Sequence, residues 1–475
     1  MHEITGDREA VQKLMKDTVQ QLETTANGAA AARAPGTRSR TASTTRAARS
    51  EKVDPVLDVW REALAHMETG TGGRTAARAA GIGSRQAAPG RAVATPYAPR
   101  DQRIALFQSA MDEYLDSAAK GAGPAAAKSA AMTTRAASAS KPRKSTQAAS
   151  LDAFYAGGRP GKAAKAGGTS AAADLMAKFS PLDPRWVEVV VEKAKLLLKG
   201  KHPFVAHQSA TDFRFTMKNE TTIAIVGDWG GGNEAAQAVA KQIAKLAPDH
   251  VIHLGDVYYA GTPNEVQERF LKYWPTPGAP GRSFALNSNH EMYSGGYGYF
   301  DYTLKKFAQP ASYFSLANDN WCFIGLDTGY DEHELHAPQA EWLRQQLAVG
   351  GRKNVLMSHH QLFSAYESTD ASKLRATVQP FLAQVYGWIW GHEHLAVIYA
   401  KHDGINAICL GNGCFPYDFP STPPTVPVKW IDKRTTSDSD YPGGHTFALL
   451  RIKGPRIDMD LIDEIGAVGW SETWV

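Results

Sequence analysis

Two ten-residue stretches decide the fold: TTIAIVGDWG at residues 221–230 and VIHLGDVYYA at residues 251–260. Each begins with an apolar, β-branched run as long as a buried strand and then breaks abruptly into Gly-Asp. The residues between them, 233–246, have the apolar spacing of a helix. A strand, a helix and a second strand in this order are typical of an α/β protein.

The alternation of strands and helices continues through the second half of the chain. Strands are predicted at 223–226, 251–254, 284–286, 321–326, 355–357 and 388–390, and helices at 233–246, 263–274, 338–347 and 372–384. The expected fold class is therefore α/β, a β-sheet core with helices on both faces. In that architecture ligands bind where strands end and loops begin.

Five of the predicted strands end in unusually polar residues. The endings are Gly-Asp-Trp-Gly at 227–230, Gly-Asp-Val-Tyr-Tyr at 255–259, Ser-Asn-His-Glu at 288–291, Ser-His-His at 358–360 and Gly-His-Glu-His at 391–394. One Gly-Asp pair after a strand is usually an ordinary turn. Five polar endings in succession indicate a shared site instead. Because oxygen and imidazole ligands suit iron, zinc and manganese, the simplest account is a site for two metal ions.

The ordered set of endings resembles the calcineurin-like metallophosphoesterase family and looks like its purple acid phosphatase branch. The matching motifs are Asp-x-Gly, Gly-Asp-x-x-Tyr, Asn-His-Glu, a strand ending in His, and Gly-His-x-His, and they lie between residue 222 and the C-terminus. Most of the wider family has a ligand histidine where this sequence has Gly230. Tyr259 stands where the purple acid phosphatases supply a tyrosinate, a hard donor that favours Fe(III). A packing role for Tyr259 stays open as the alternative.

The resemblance implies a role for each polar residue. Asp228, Tyr259 and His394 would hold the first metal, Asn289, His359 and His392 the second, and Asp256 would bridge both. His360 is the alternative to His359, because successive side chains of a strand point to opposite faces. His290 and Glu291 would be catalytic, the first as an acid, a base or a clamp on the ester and the second as its orienter. The implied cofactors are two metal ions, Fe(III) with Fe(II), Zn or Mn.

Two further features surround these ligands. Ser288 departs from the glycine that the family pattern usually has at this position. Four histidines on predicted loops are candidates for lining a substrate pocket, although an exposed polar position is the commoner role for each: His333, His336, His402 and His445.

The implied site predicts a binuclear hydrolase of phosphate esters, an acid phosphatase-like phosphomonoesterase. Two metals roughly 3.5–4 Å apart lower the pKa of bound water to about 7, so that a metal-bound hydroxide can attack phosphorus. Two other interpretations stay open. A phosphodiesterase or nuclease would share the scaffold, although polyanionic substrates favour a more basic domain. A partner-binding scaffold or delivered effector would carry the phosphatase domain as cargo.

The first 200 residues differ in composition from the rest. They carry 30 basic and 19 acidic side chains, a net charge of +11, whereas residues 201–475 carry 22 and 29, a net charge of −7. Segments 28–50, 70–99, 121–150 and 157–173 consist mostly of Ala, Gly, Ser, Thr and Arg, a composition typical of disorder. We therefore predict a largely disordered low-complexity region at 1–175, a helical lead-in at 176–220 and a metallophosphoesterase domain at 221–475.

Three short amphipathic helices are predicted within the low-complexity region. Their apolar stripes begin at Val11, Val56 and Ile104. The helices either form one small bundle or dock separately onto a protein partner, with Trp60 and Phe107 as anchors. We favour docking, because long structureless loops are uncommon inside a compact domain. Residues 1–175 are then dispensable for hydrolysis, and salt-sensitive, nonspecific polyanion binding by their basic linkers is a further expectation.

The sequence also bears on the compartment. Three cysteines are too few for a disulfide framework, and the charged start of the chain lacks the apolar stretch of a signal peptide. No uninterrupted run approaches the roughly 18 apolar residues of a membrane helix. We expect no membrane span and, by default, a cytoplasmic protein, with non-classical delivery left open.

Overall fold

A computed structural model of the chain describes residues 11–20, 22–23, 55–69, 101–119, 184–275, 281–367, 371–415, 423–434 and 444–475. The four predicted linkers at 28–50, 70–99, 121–150 and 157–173 lie outside these residues, so their predicted disorder stays a prediction. Within these ranges no helix has the length and apolarity needed to cross a membrane.

The C-terminal domain is built on two β-sheets. The strands in the described ranges are β1 Arg214–Thr216, β2 Glu220–Val226, β3 His250–His253, β4 Ser283–Ala285, β5 Phe314–Ala317, β6 Trp321–Gly325, β7 Lys353–Ser358, β8 Val385–Trp390, β9 Ala396–Tyr399, β10 Asn406–Leu410, β11 Val428–Ile431, β12 Thr446–Lys453, β13 Arg456–Asp463 and β14 Val468–Trp474. One sheet has the order β1-β5-β6-β7-β8-β10-β9-β11, and the other has the order β14-β13-β12-β2-β3-β4. Strands β2, β3 and β4 run parallel in the second sheet, as do β6, β7 and β8 in the first.

The helices differ more from the predictions than the strands do. They are α1 at 11–20, α2 Pro55–Thr69, α3 Gln102–Ala119, α4 Pro184–Lys199, α5 Glu234–Leu246, α6 Pro263–Glu265, α7 Asn289–Met292, α8 Leu304–Phe307, α9 Gln339–Leu347 and α10 Ser372–Val378. The helix predicted at 263–274 is only partly regular, because α6 continues as a π-helical turn, Val266–Phe270, and a 3-10 turn, Leu271–Tyr273.

The α/β class is confirmed, but the layers differ from the prediction of one sheet covered on both faces. The two sheets face each other across a shared apolar core that includes Ile225 and Ile252 from one sheet and Val355 and Met357 from the other. Helices α9 and α10 pack on the outer face of the first sheet, and α5 packs on that of the second. The strands that lead to the predicted site are therefore divided between two sheets.

Helices α1 to α4 pack together through their apolar stripes. Trp60 of α2 and Phe107 of α3 are fully buried, with their rings 5.4 Å apart in an edge-to-face contact. Lys193 of α4 forms a 2.5 Å ion pair with Glu113 of α3. Short helices with a single apolar stripe are marginal alone and gain stability by burying that stripe. The bundle interpretation therefore describes these helices, and Trp60 and Phe107 are interior residues, not exposed anchors. The protein partner itself stays a prediction.

Candidate metal centre

Four of the expected ligands have an unusual backbone conformation. The φ angles of Asp228, Asp256, His392 and His394 are 53°, 78°, 69° and 54°, in the left-handed region that non-glycine residues rarely adopt. Such conformations cost about 1–3 kcal/mol each and persist where the surrounding structure enforces them, often at functional sites. At Asp228, Asp256 and His392 this sharp turn of the chain comes shortly after the ends of strands β2, β3 and β8.

Two glycines of the motifs lie so close to neighbouring atoms that a side chain at either position would clash. A Cβ atom on Gly391 would lie 2.5 Å from Asp228 Oδ2, so any side chain there would displace the carboxylate. A Cβ atom on Gly230 would lie 2.5 Å from the Asp256 carbonyl oxygen and 2.6 Å from Val257 Cα. The histidine that most of the wider family has at the position of Gly230 therefore does not fit in this loop.

His359 is the centre of a cluster of four ligand-type side chains. Its Nε2 atom lies 3.0 Å from Asn289 Oδ1, 3.1 Å from His392 Nδ1 and 3.1 Å from Asp256 Oδ1. Its Nδ1 atom lies 3.0 Å from the Leu254 carbonyl oxygen, which can only accept a hydrogen bond. Nδ1 therefore carries the proton, and Nε2 presents a lone pair to the cluster. This is how a carbonyl usually fixes the tautomer of a metal-binding histidine.

A second cluster adjoins the first at Asp256. The Tyr258 hydroxyl lies 3.2 Å from Asp228 Oδ1, 3.0 Å from Asp256 Oδ2 and 3.1 Å from His394 Nε2. His394 Nε2 is also 3.5 Å from Asp228 Oδ1. Burial, with the nearby charge of Asp256 as the second cause, raises the pKa of the Asp228 carboxyl well above its usual range. The same two causes raise the pKa of the Tyr258 hydroxyl.

The tyrosine in this cluster differs from the expected one. Val257 forms an isolated parallel bridge with Gly230, and the Tyr258 amide donates to the Gly230 carbonyl at 3.2 Å, which turns the Tyr258 side chain toward Asp228. Tyr259, the expected ligand, contributes main-chain contacts: its amide donates to Glu265 Oε1 at 2.6 Å, and its carbonyl accepts from His290. The Asp-x-x-Tyr spacing pointed to Tyr259, and no signal in the sequence separates two adjacent tyrosines.

His290 and Glu291 lie beside the two clusters in helix α7. The His290 Nδ1 atom donates to the Tyr259 carbonyl at 2.6 Å, and its Nε2 atom is 3.8 Å from Asp256 Oδ2. Glu291 contacts the loop of Asp256: its Oε2 atom accepts hydrogen bonds from the Asp256 amide at 3.1 Å and from the Ser288 hydroxyl. Burial, followed by the charge of Asp256, raises the pKa of Glu291 to about 8. The structure thus places Glu291 as a support of Asp256, whereas we expected it to orient His290.

Ser288 is compatible with its position. Its φ of −138° and ψ of 177° are extended backbone, which any residue adopts. Its Oγ atom accepts from the amides of His290 and Glu291 and caps helix α7. The departure from glycine therefore leaves this loop unstrained and adds a cap.

A group of histidines adjoins the His359 cluster. His333, His360 and His392 each offer a ring nitrogen within 4.8 Å of the others, and His360 Nδ1 lies 3.1 Å from Thr328 Oγ1. His360, the alternative ligand, therefore lies in this neighbouring group with His333 and His392. Of the other loop histidines, His336 pairs with Asp331 at 2.6 Å.

The two remaining loop histidines lie in different surroundings. His402 packs on Phe363, and His445 is buried. Thr328 was not singled out from the sequence, because a lone threonine after a strand carries no motif.

The donor set fits a cation. Asp228, Asp256 and His359 offer ligand atoms that all lie within 4.8 Å of one another, and all three side chains are buried. Among the described residues, the two carboxylates form ion pairs only with histidines. Buried carboxylates this close together are costly unless a positive charge lies between them. Metal ions bound by both clusters would supply that charge.

Comparisons with known proteins agree with this interpretation of the strand ends. The sequence profile of the calcineurin-like phosphoesterase family matches residues 221–396. No curated protein sequence shows a significant match to the chain.

Several solved structures are similar in part. Purple acid phosphatase PPD1 from yellow lupin (Lupinus luteus) seeds is 17% identical over 54% of this chain and 54% of its own length, with a TM-score of 0.43. GAP50, the anchor in the inner membrane complex of Plasmodium, is 15% identical over 54% of this chain and 89% of its own length, with a TM-score of 0.43 as well. A dimetal phosphatase from Danio rerio is 14% identical over 54% of this chain and 98% of its own length, with a TM-score of 0.36. The assignment rests on the sequence profile: residues 221–396 form a calcineurin-like phosphoesterase domain.

Proposed function

We propose that this domain is a binuclear metal-dependent phosphomonoesterase. The observation that carries the proposal is the convergence on His359 Nε2 of Asn289 Oδ1, His392 Nδ1 and Asp256 Oδ1 at 3.0 to 3.1 Å. Lone pairs at such distances repel one another unless a cation or a proton lies between them. The family of residues 221–396 favours the cation.

The second cluster extends this proposal to two ions. Asp228, Tyr258 and His394 would hold the first ion, Asn289, His359 and His392 the second, and Asp256 would bridge them, because its Oδ2 faces Tyr258 and its Oδ1 faces His359. A tyrosinate favours Fe(III) at the first position, with Fe(II), Zn or Mn at the second. When bound, such a pair supplies positive charge over the phosphate oxygens and a water that ionises near neutral pH.

The protein's own part in the reaction centres on His290. The hydrogen bond from its Nδ1 atom to the Tyr259 carbonyl fixes the ring, so that Nε2 is the atom available to the substrate. Nε2 lies 3.8 Å from Asp256 Oδ2, at the edge of both clusters. If the ring carries protons on both nitrogens, the proton on Nε2 can pass to the leaving oxygen of an ester, or stay and clamp a phosphate oxygen; if Nε2 is unprotonated, it can accept a proton as a base. Glu291 supports the Asp256 amide and so acts as a positioning residue.

The test combines metal analysis with two generic esters. Purified protein should contain two metal ions per chain and hydrolyse para-nitrophenyl phosphate faster than bis-para-nitrophenyl phosphate. Asp256→Asn removes the charge of the bridging residue and should lower the occupancy of both sites. Asp458→Asn is the matched control, because Asp458 is exposed and pairs with Arg456 on the far strand β13. Active protein with one ion or none would refute the binuclear site, and faster hydrolysis of the diester would favour the phosphodiesterase interpretation.

A further inference from the structure

The amide of Asn289 is oriented by a neighbouring tyrosine. Its Nδ2 atom lies 2.8 Å from the Tyr293 hydroxyl, and its Oδ1 atom faces His359 Nε2. An amide has a donor end and an acceptor end, so a partner that takes the donor end decides where the oxygen points. Tyr293 therefore presents the Asn289 oxygen to the second metal position of the proposed function.

Tyr293 is in turn part of the helical bundle. It belongs, with Ala260, to the buried apolar cluster whose other members come from helices α1 to α4, and it is 6% exposed. The side chain of Gln102, the first residue of α3, donates to the Tyr293 carbonyl at 2.9 Å. The side chain of Tyr293 thus packs against helices α1 to α4, and its main chain is hydrogen-bonded to α3.

A buried ion pair fixes the bundle to the other side of the site. Asp112 of α3 is fully buried and lies 2.8 Å from Arg269, whose side chain is 10% exposed. Arg269 lies in the helical segment that begins with α6, where the Glu265 carboxylate accepts from the amides of Tyr259 and Ala260. That segment therefore connects Asp112 to the loop that follows Asp256.

A third attachment lies at the C-terminal end of helix α4 and in the residues that follow it. Lys199 Nζ lies 3.3 Å from the ring centre of Tyr297, and the His202 ring stacks on Phe300 at 4.7 Å. The His202 amide donates to the Gly295 carbonyl at 2.7 Å. All of these contacts fall on the segment that directly follows Asn289 and His290.

We propose that helices α1 to α4 form a positioning unit for the metal centre, acting through Tyr293 on Asn289 and through Arg269 on the Asp256 loop. This inference rests on the proposed function. It also replaces the expectation that residues 1–175 are dispensable for hydrolysis. The chain before residue 200 then completes the site without supplying a ligand of its own.

The experiment measures metal binding by the full-length protein after its metals have been removed. Zn²⁺ is titrated into the wild type, Tyr293→Phe and the double variant Asp112→Ala/Arg269→Ala, with circular dichroism to verify the fold. Loss of a group that orients a ligand typically weakens metal affinity about 10–100-fold. We expect this loss for the second ion in Tyr293→Phe, which acts on Asn289, and for both ions in the double variant, which acts on the loop of the bridging Asp256. Arg61→Ala is the control, because Arg61 forms an exposed 2.7 Å pair with Glu23 within the same bundle, and it should bind both ions as the wild type does.

The outcomes separate the two proposals. A folded double variant that binds both ions with wild-type affinity would overturn the positioning role of the bundle. Wild-type affinity in Tyr293→Phe would overturn the path through Asn289, whatever the double variant does. A wild type that binds only one ion or none would instead refute the proposed function.

Discussion

Acid should destabilise this fold through His253, a buried histidine of β3 outside the two candidate metal-binding clusters. His253 is fully buried beside Phe270, Trp229 and Trp274, with ring centres 4.7, 6.3 and 6.2 Å away. Neither of its ring nitrogens has a hydrogen-bond partner among the described residues. Burial in this aromatic surrounding lowers the pKa of His253 from 6.5 to about 3.

The size of the effect follows from this pKa. Between pH 6.5 and pH 3 the unfolded chain binds a proton at His253 that the folded chain does not bind. The free energy of unfolding therefore falls as the pH falls below 6.5, and the stability is fully present above that pH. At 1.36 kcal/mol per unit of pKa shift, His253 alone removes about 2 kcal/mol between about pH 7.5 and about pH 5.

The assay is urea unfolding of the wild type and of His253→Phe at these two pH values, in the same metal-containing buffer. Phenylalanine suits the aromatic surrounding and does not titrate, so the variant should lose about 2 kcal/mol less than the wild type between the two conditions. Contributions common to both proteins cancel in this difference. His253→Leu is a second variant in case the larger ring packs badly. An equal loss of stability in all three proteins would refute the reasoning.

Three further predictions concern the site. Iron-loaded wild-type protein should show a visible phenolate-to-iron absorption that Tyr258→Phe abolishes and Tyr259→Phe retains; the reverse result would return the ligand role to Tyr259. His290→Ala should keep two metals by elemental analysis and lose turnover by about 10²- to 10⁴-fold, whereas parallel metal loss would show a structural role. Gly230→Ala should lower the metal content, because the new Cβ would press on the Asp256 carbonyl, while Gly350→Ala, with no atom within 4 Å, should not.

The strand ends were predictable because two local signals coincide there. A buried strand shows as an apolar run, and a polar candidate ligand soon after it interrupts that run, as at Asp228 and Asp256. Which of the two tyrosines places its hydroxyl beside Asp228 was not predictable from the sequence. It depends on the pairing of Val257 with Gly230, a contact between residues distant in the sequence.

The division of the strands into two sheets and the packing of helices α1 to α4 into a bundle were also not predictable from the sequence. Strands β12 to β14 form an antiparallel meander that pairs with β2. The apolar periodicity of a strand shows which of its faces is buried, but it does not show which other strand it pairs with. Each front helix shows one apolar stripe, such as that of Trp60, and a stripe does not reveal whether it packs within the chain or on another molecule. The buried ion pair of Asp112 with Arg269 shows that α3 packs within the chain, but neither residue belongs to a sequence motif.

The division of the proposed ligands between the two sheets has a consequence for folding. Asp228, Asp256 and Asn289 follow strands of the six-stranded sheet, whereas His359 and His392 follow strands of the eight-stranded sheet. Ions held by both sets would fasten the two sheets together at one edge. Since a ligand that binds only the folded state stabilises it by mass action, chelation should lower the melting temperature. The supply of metal during synthesis would then govern how much folded protein accumulates, as well as how fast that protein works.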